Sequence, residues 1–245
     1  MRVDDVTMGE AIDHCERFIR SKFGAFVVTP NAEIVFAAQS NDVLRAIINS
    51  SDLAIPDGAG LLLAASINRD SLRAQVAGTD LAEQLCALAA ERGYRMFLLG
   101  AGPGIARKAA NRLQTKYPGL VIAGVFEGDS SLAGDDECRA KIQSADPVDI
   151  LFVGFGAPRQ ELWMSRNCPM LKVPLALGIG GVLDFMAGTV KRAPPRVRAW
   201  RLDWLYRLIQ QPWRWRRQLA LPRFVLLVLG SVIRRRFLGP HSLSQ

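Results

Sequence analysis

Short apolar blocks alternate with amphipathic stretches along most of the chain. Six blocks have the length and the branched side chains of buried strands, and they span residues 25–28, 53–55, 96–99, 121–125, 150–153 and 175–177. Between several of them, apolar positions recur with helical spacing over residues 42–49, 81–92, 105–116, 135–144 and 160–167. Because the strands are too continuously apolar for a half-exposed sheet, the pattern predicts an α/β fold with a mostly parallel sheet and helices on both faces.

Candidate catalytic residues follow the first two predicted strands. Ligands of such Rossmann-like sheets bind beyond the carboxyl ends of the strands. Thr29 and Asn31 follow the first strand, and Asp57 and Gly58 follow the second. A carboxylate beside glycine admits a ligand closely, and partial burial raises its pKa toward that of a general base. The alternative role is structural, because Asp and Asn are favoured helix caps, a helical run over residues 61–67 follows Asp57, and Thr29 and Asn31 suit turns.

A glycine-rich turn follows the third predicted strand. Gly100 and Gly102 stand between that strand and a helix, where free backbone N–H groups and the helix dipole attract anions. The spacing is not that of a dinucleotide-binding turn, no Walker lysine follows, and any tight turn needs glycine. Contact with a nucleotide phosphate and a purely structural turn are both compatible with these residues.

Two further glycine turns follow the fifth and sixth predicted strands. The first of them opens a helix at a proline, whose missing N–H costs nothing at that position. The second leads to a carboxylate. Three such turns at one edge of the sheet predict a pocket with backbone walls, although an ordinary first helical turn is equally compatible with the side chains. The candidate contacts in these two turns are Gly156, Pro158, Gln160, Glu161, Gly180 and Asp184.

The charge is divided unevenly along the chain. From residue 190 onward there are 13 basic residues and one acidic residue, a net charge of +12, whereas residues 1–189 carry 18 basic and 22 acidic residues, a net charge of −4. The division predicts an α/β core over residues 1–189 and a basic appendage over residues 190–245. Such a basic surface is suited to phosphate, in lipid head groups or in nucleic acid.

The cysteines and the N-terminus indicate a reducing compartment. The four cysteines are isolated in sequence and have no nearby histidine, so we expect reduced, mostly buried thiols and no zinc site. The first five residues carry acids and no apolar segment, which is unlike a signal peptide. The sequence predicts a cytoplasmic protein.

Together these motifs resemble the WecG/TagA/CpsF family of bacterial glycosyltransferases. The match runs in order from about residue 24 to residue 219, and the ordered set is far more specific than any one motif. The motifs are Thr29-Pro30-Asn31, Pro56-Asp57-Gly58-x-Gly60, Gly78-Thr79-Asp80-Leu81, Leu99-Gly100-x-Gly102, Gly154-x-Gly156-x-Pro158-x-Gln160-Glu161, Gly178-x-Gly180-Gly181-x-x-Asp184-Phe185 and Arg192-Ala193-Pro194.

The resemblance implies an inverting, metal-independent hexosyltransferase that needs no cofactor. Its donor would be a UDP-sugar, often UDP-N-acetylmannosamine or its uronic acid, and its acceptor a polyprenyl-diphosphate-linked sugar in cell-envelope or exopolysaccharide synthesis. Asp57 would deprotonate the acceptor hydroxyl, with Thr29 and Asn31 beside it, and Gln160 would contact the donor. The resemblance also implies a tendency to self-associate.

Charged side chains are implied as further substrate contacts. Asp80 and Arg192 belong to the matching motifs, and Arg207, Arg214 and Arg217 match an appendage that closes over the site and supplies arginines to the diphosphates. One position departs from the family, which tends to carry arginine three residues before the glycine of Gly78-Thr79-Asp80, where this chain has Gln75. Arg73 or an arginine of the appendage would then have to supply that charge, or the sugar specificity differs.

The basic appendage has the composition of a membrane-surface segment. Arginine and tryptophan suit the head-group boundary of an anionic bilayer, and the apolar run over residues 224–233 is too short to span it. We therefore expect a peripheral protein on the inner face of the cytoplasmic membrane, although a helix packed on the core with its arginines in water is an alternative. At helical spacing one apolar stripe contains Val197, Trp200, Trp204, Leu205 and Leu208.

Two other functions are compatible with parts of the sequence. A nicotinamide-dependent oxidoreductase would share the glycine turns, but its fingerprint should follow the first strand, where Thr29-Pro30-Asn31 stands instead. A nucleic-acid-binding module would use the arginine-rich appendage, and its binding would fall steeply with salt without needing lipid. We expect no nucleic-acid partner.

Overall fold

The chain folds around one six-stranded, entirely parallel sheet. The computed structural model describes residues 1–68, 72–200, 202–212, 215 and 219–238, with residue 199 and residues 231–238 described by their backbone alone. The strand order is β2-β1-β6-β5-β3-β4. The strands are β1 (Ala25–Val28), β2 (Leu53–Ala54), β3 (Arg95–Gly100), β4 (Val121–Phe126), β5 (Ile150–Gly154) and β6 (Leu175–Gly178).

Helices cover both faces of this sheet, which confirms the predicted fold class. Alternate residues of a strand point to opposite faces, so Met96 and Leu98 of β3 enter one core while Phe97 and Leu99 enter the other. The helices are α1 (Met8–Ser21), α2 (Ala32–Ala37), α3 (Asp42–Ser50), α4 (Ala59–Asn68), α5 (Gly78–Arg92), α6 (Ile105–Lys116), α7 (Asp135–Gln143), α8 (Arg159–Asn167), α9 (Val182–Met186), α10 (Pro195–Ala199), α11 (Asp203–Gln210) and α12 (Ala220–Leu238). The first core contains residues of α1, α5, α6 and α9, and the second contains residues of α2, α3, α7 and α8.

Helix α1 is an element that the apolar pattern did not predict. A capping box defines its start, because the Thr7 hydroxyl accepts from the backbone N–H of Glu10 while the Glu10 carboxylate accepts from the N–H of Thr7. Ala11, Cys15 and Ile19 form its buried stripe. All four cysteines of the chain are buried and free, as predicted.

The C-terminal segment is helical, but its apolar stripe is not carried by one continuous helix. The predicted pattern is divided between α10, which ends at Ala199, and α11, which begins at Asp203, so the expectation of a single amphipathic stripe is wrong. Helix α12 packs through the buried Phe224 and Val228 against α2 and α4. Among the described residues, none of the helices is long and apolar enough to cross a membrane.

Two strands approach each other unusually closely where the sheet meets the glycine turns. Gly100 has a φ of +99°, and a Cβ at this position would lie 2.8 Å from the carbonyl carbon of Gly154. The next residue continues the contact, since the N–H of Ala101 donates to the Gly154 carbonyl at 3.1 Å. Glycine is therefore required at position 100 both by its conformation and by the space available.

Gly100→Ala should destabilise the protein more than Gly104→Ala. Both residues have positive φ, which costs an alanine about 1–2 kcal/mol, but nothing lies within 4 Å of a Cβ at Gly104. Overpacking against the Gly154 carbonyl should add about 1–3 kcal/mol for Gly100→Ala alone. Urea unfolding of the two variants measures the difference, and equal losses would show that the close approach to Gly154 is not limiting.

Candidate active site

A pocket lies beyond the carboxyl ends of β1 and β2. Its volume is about 560 Å³, and its walls come from two parts of the chain, the core, mainly the loops after these strands and the start of α5, and the appendage between Lys191 and Leu221. The predicted site residues that line it are Asn31, Asp57, Gly58, Asp80, Arg192 and Arg207. Side chains far apart in the sequence thus meet at one edge of the sheet.

Backbone hydrogen bonds fix the position of Asp57. Its N–H donates to the carbonyl of Pro30 at 3.0 Å, which joins the loops after β1 and β2. The carbonyl of Pro56 accepts from the N–H of Val76 at 3.0 Å, which brings the start of α5 beside the same loop. Asp57 is thereby held at the junction of two strands and one helix.

The carboxylate of Asp57 accepts a hydrogen bond from the backbone N–H of Gly78. Gly78 is the first residue of α5, and no side chain of the preceding Ala77 caps that helix. Asp57 therefore caps the N-terminus of α5, which is distant from it in the sequence. The structural role considered in the sequence analysis was a cap on the helix that directly follows Asp57. The same residue also lines the pocket, so capping α5 does not remove Asp57 from the candidate site.

Burial raises the pKa of Asp57 to about 6. The side chain is only partly exposed, and loss of hydration disfavours its charged form. The hydrogen bond from Gly78 opposes this change, the negative charge of Asp203 adds to it, and the positive charge of Arg207 opposes it. A carboxylate with this pKa is ionised at neutral pH and still basic enough to accept a proton.

Asn31 and Thr29 hold the loop beside Asp57. The Asn31 side-chain oxygen accepts from the N–H groups of Glu33 and Ile34, both at 3.0 Å, so it caps α2 as well as lining the pocket. The buried Thr29 hydroxyl donates to the Gly178 carbonyl at 3.1 Å and does not line the pocket. Thr29 thus ties the end of β1 to the end of β6.

Opposite charges meet in the pocket from the two parts of the chain. Three of its acids, Glu33, Asp57 and Asp80, come from the core, and its cations come from the basic appendage. Asp80 and Arg192 form a two-bond ion pair, with N–O distances of 2.6 and 2.7 Å. The cations are Lys191, Arg192, Arg198 and Arg207.

Arg207 is held over the turn after β6. Its guanidinium carbon lies 4.7 Å from the centre of the Phe185 ring, and its Nη2 donates to the Gly181 carbonyl at 3.4 Å. A Cβ at Gly181 would overlap Nη2. The glycine therefore makes room for the arginine of α11.

Gln75 lines the pocket and Arg73 does not. The Arg73 guanidinium pairs with Asp5 at 3.0 Å and with Glu10 at 2.9 Å. Of the two sources considered for the charge missing at position 75, only the appendage brings arginines to the pocket wall among the described residues.

The predicted residues of the three later glycine turns do not line the pocket. They are Gly100, Gly102, Gly156, Pro158, Gln160, Glu161, Gly180 and Asp184. Gln160 and Glu161 are buried, with Gln160 donating to the Glu161 carboxylate at 2.8 Å. The Gln160 side-chain oxygen accepts from the N–H of Gly156 at 3.1 Å and from that of Gly180 at 2.8 Å. Gln160 thus joins two of the turns.

Sequence reasoning did not select several residues that line the pocket. They come from α10, α11 and the segment before them: Lys191, Arg198, Asp203, Trp204 and Tyr206. The signal that could have found them is the charge reversal after residue 189, since a basic segment folding back on an acidic core must place some cations against it. Arg214 and Arg217 lie outside the described residues. In the described part of the chain no group of three or more His, Cys, Asp or Glu is arranged to hold a metal ion.

The sequence as a whole matches one family. The model of the glycosyl transferase WecG/TagA/CpsF family matches residues 1–237. The chain belongs to this family. It is therefore a glycosyltransferase, and family membership gives no support to the oxidoreductase alternative.

Characterised relatives in this family share about a third of the sequence. The chain is 34% identical over 222 residues to the N-acetylglucosaminyldiphosphoundecaprenol N-acetyl-beta-D-mannosaminyltransferase of Bacillus subtilis (strain 168), covering 89% of this chain and 84% of that protein. The protein of the same name from Bacillus spizizenii (strain W23) is 34% identical over 242 residues, covering 98% and 92%. The one from Staphylococcus aureus (strain MW2) is 30% identical over 224 residues, covering 91% and 87%.

Asp57→Asn should stabilise the fold at pH 8 and do so less as the pH falls. The folded-state pKa of about 6 lies above the ordinary 3.8, so ionised Asp57 costs stability above pH 6, and this cost is gone below pH 4. An asparagine keeps an oxygen for the Gly78 N–H and carries no charge. Urea unfolding of both proteins between pH 4 and pH 8 measures the effect, and a difference independent of pH would contradict the assigned pKa.

Proposed function

We propose that this glycosyltransferase moves a hexosyl group from a UDP-sugar to the hydroxyl of a polyprenyl-diphosphate-linked sugar. The observation that carries the proposal is Asp57, a partly buried carboxylate with a pKa of about 6 that lines the pocket between the core and the appendage. The names of the relatives indicate the substrate class. The transferred group in those names is N-acetylmannosaminyl, and the acceptor is N-acetylglucosaminyl-diphosphoundecaprenol. The UDP carrier and the pathway, cell-envelope or exopolysaccharide synthesis, rest on the family resemblance.

In the proposed reaction Asp57 acts as the general base. Its carboxylate takes the proton of the acceptor hydroxyl while the hydroxyl oxygen bonds to the anomeric carbon from the side opposite the leaving group. The bond from that carbon to the UDP oxygen breaks, UDP leaves with the electron pair, and the anomeric configuration inverts. A pKa near 6 matches this role, because the base is ionised before the step and holds the proton after it.

Charge on the leaving diphosphate would be met by side chains of the appendage. Lys191 and Arg207 line the pocket opposite the acidic core, and cationic groups aimed at developing charge stabilise a transition state in a water-poor site. We propose no metal ion or cofactor in this step.

The outer surface of the appendage suits an anionic membrane. Trp200 is 74% exposed and Ile209 is 70% exposed, which is unusual for side chains of this size on a packed helix. Both residues belong to the segment from residue 190 onward, which has a net charge of +12. Apolar insertion and electrostatic attraction act together in such segments, so we propose peripheral attachment at the face where the lipid-linked acceptor is delivered.

Asp57→Asn should lower kcat/KM by about 100- to 10,000-fold, the contribution of a positioned general base. For the wild type, kcat/KM should fall about tenfold per pH unit below pH 6, because only the ionised carboxylate accepts a proton. UDP release from a panel of UDP-sugars, with a short-chain prenyl-diphosphate N-acetylglucosamine as acceptor, measures both effects.

Asp203→Asn is the matched control for this experiment. It removes a neighbouring negative charge that raises the pKa of Asp57, so the acidic limb of the pH profile should move to lower pH while activity at neutral pH persists. Full activity of Asp57→Asn would exclude the base role. Absence of UDP release with every donor would exclude the proposed reaction.

Trp200→Ala should weaken attachment to anionic vesicles. Burying a large apolar side chain contributes about 1.5–3 kcal/mol, so we expect a loss of about tenfold or more in the partition coefficient. Flotation with phosphatidylglycerol vesicles measures it, and added salt should weaken binding further.

Phe23→Ala provides the control for vesicle binding. Phe23 is also 74% exposed, but it precedes β1 and so lies at the sheet edge opposite the pocket. Equal losses for the two variants would contradict attachment through the appendage. Both variants should retain activity toward a soluble short-chain acceptor.

A further inference from the structure

One arginine of the pocket wall has a buried side-chain N–H without an acceptor in the described part of the protein. Arg198 lies on α10 and lines the pocket that contains Asp57. Its Nε is buried, and no acceptor lies within hydrogen-bond distance of it among the described residues. A buried N–H of a charged group without an acceptor is costly, and native proteins rarely leave one unsatisfied.

The neighbouring arginines of the pocket are already engaged. Arg192 forms two bonds to the carboxylate of Asp80. Arg207 donates to the Gly181 carbonyl and, through Nε at 3.4 Å, to the side-chain oxygen of Gln211. Arg198 therefore differs from them in having a guanidinium N–H that no acceptor in the described residues satisfies. The planar guanidinium is the protein group best matched to a phosphate or carboxylate oxygen pair.

The position of Arg198 indicates which anion it would meet. Trp204 also lines the pocket and is 42% exposed, so an apolar side chain of the pocket wall also meets solvent. Trp200, two residues after Arg198, is exposed as well. A ligand that enters here would keep a hydrocarbon chain outside and put the anionic group attached to it against Arg198.

We infer that Arg198 binds the diphosphate of the lipid-linked acceptor. This inference rests on the proposed function and adds a residue that positions the acceptor, while Asp57 acts on its hydroxyl. The alternative source of the same chemistry is the diphosphate of the donor, and the two are separable because they are carried by different substrates.

The test is a pair of calorimetric titrations in detergent-free buffer. One ligand is farnesyl-diphosphate N-acetylglucosamine, a soluble acceptor analogue, and the other is UDP. Arg198→Gln should raise the Kd of the acceptor analogue by about 10- to 100-fold, the loss expected for a charge-assisted hydrogen-bonded pair. The Kd of UDP should stay within about twofold of the wild type, and kcat at saturating acceptor should change little.

Arg196→Gln is the matched control. Arg196 lies on the same helix but is exposed and does not line the pocket, so its loss removes the same charge without the proposed contact. Arg198→Lys keeps the charge without the planar guanidinium, so its Kd for the acceptor analogue should lie between those of the wild type and Arg198→Gln. It also provides the test if the glutamine variant does not fold.

Several outcomes would overturn the inference. They are an unchanged acceptor Kd in Arg198→Gln, a UDP Kd that rises as much as the acceptor Kd, an equal loss in Arg196→Gln, or no binding of the acceptor analogue by the wild type. Binding does not require turnover. If the wild type binds the analogue through Arg198 but transfers no sugar from any donor, the proposed function fails while this inference stands.

Discussion

The hydrogen bond between the Asp57 carboxylate and the Gly78 N–H is the contact on which the candidate site depends. It joins the loop after β2 to the first turn of α5, and it opposes the burial that raises the pKa of the same carboxylate. Without it, only the charge of Arg207 would oppose the loss of hydration, and the group would stay protonated to higher pH. A Cβ at Gly78 would make only ordinary van der Waals contacts, 3.5 Å from an Asp57 oxygen and 3.4 Å from the Thr29 methyl group.

The pocket itself is a product of the uneven charge distribution. The acidic core supplies its floor and the basic appendage supplies its opposite wall, so the pocket exists only where the two parts of the chain meet. The Asp80–Arg192 ion pair joins the two parts, and burial of Phe224 and Val228 against α2 and α4 adds an apolar contact between them. Within the appendage, two bonds between Gln210 and the backbone of Lys191, at 3.0 and 2.8 Å, hold α11 beside the segment that leaves the core.

Much of the fold was predictable because its determinants are local. Each of the six strands begins and ends within two residues of its apolar block, because the buried strands of a parallel sheet consist of continuous runs of apolar residues. Helix α1 was missed although its Thr7–Glu10 capping box is a local signal. The break between α10 and α11 was not predictable from spacing, because periodicity records which positions are apolar and not where the backbone turns.

The site was only partly predictable for a different reason. The motif that contains Asp57 marks a strand end, and strand ends of a parallel sheet converge, so its position in a pocket followed from topology. Gln160 stands at an equally plausible strand end, but its side chain turns inward because two glycine N–H groups need an acceptor there. Arg198 has no local signal, since its neighbour Arg196 has the same sequence context and is exposed.

The glycine turns bear on how a diphosphate would be held. Backbone N–H groups at such turns are natural anion sites, yet those of Gly156 and Gly180 are bonded to Gln160, and that of Gly104 donates to the Glu127 carboxylate at 2.9 Å. A phosphate could use them only by displacing a protein acceptor, a carboxylate in the last case. Arg198 of the appendage carries no such restriction, because it lines the pocket and its Nε has no acceptor among the described residues. Charge neutralisation by side chains of α10 and α11 is thus the arrangement that requires the least rearrangement of the structure.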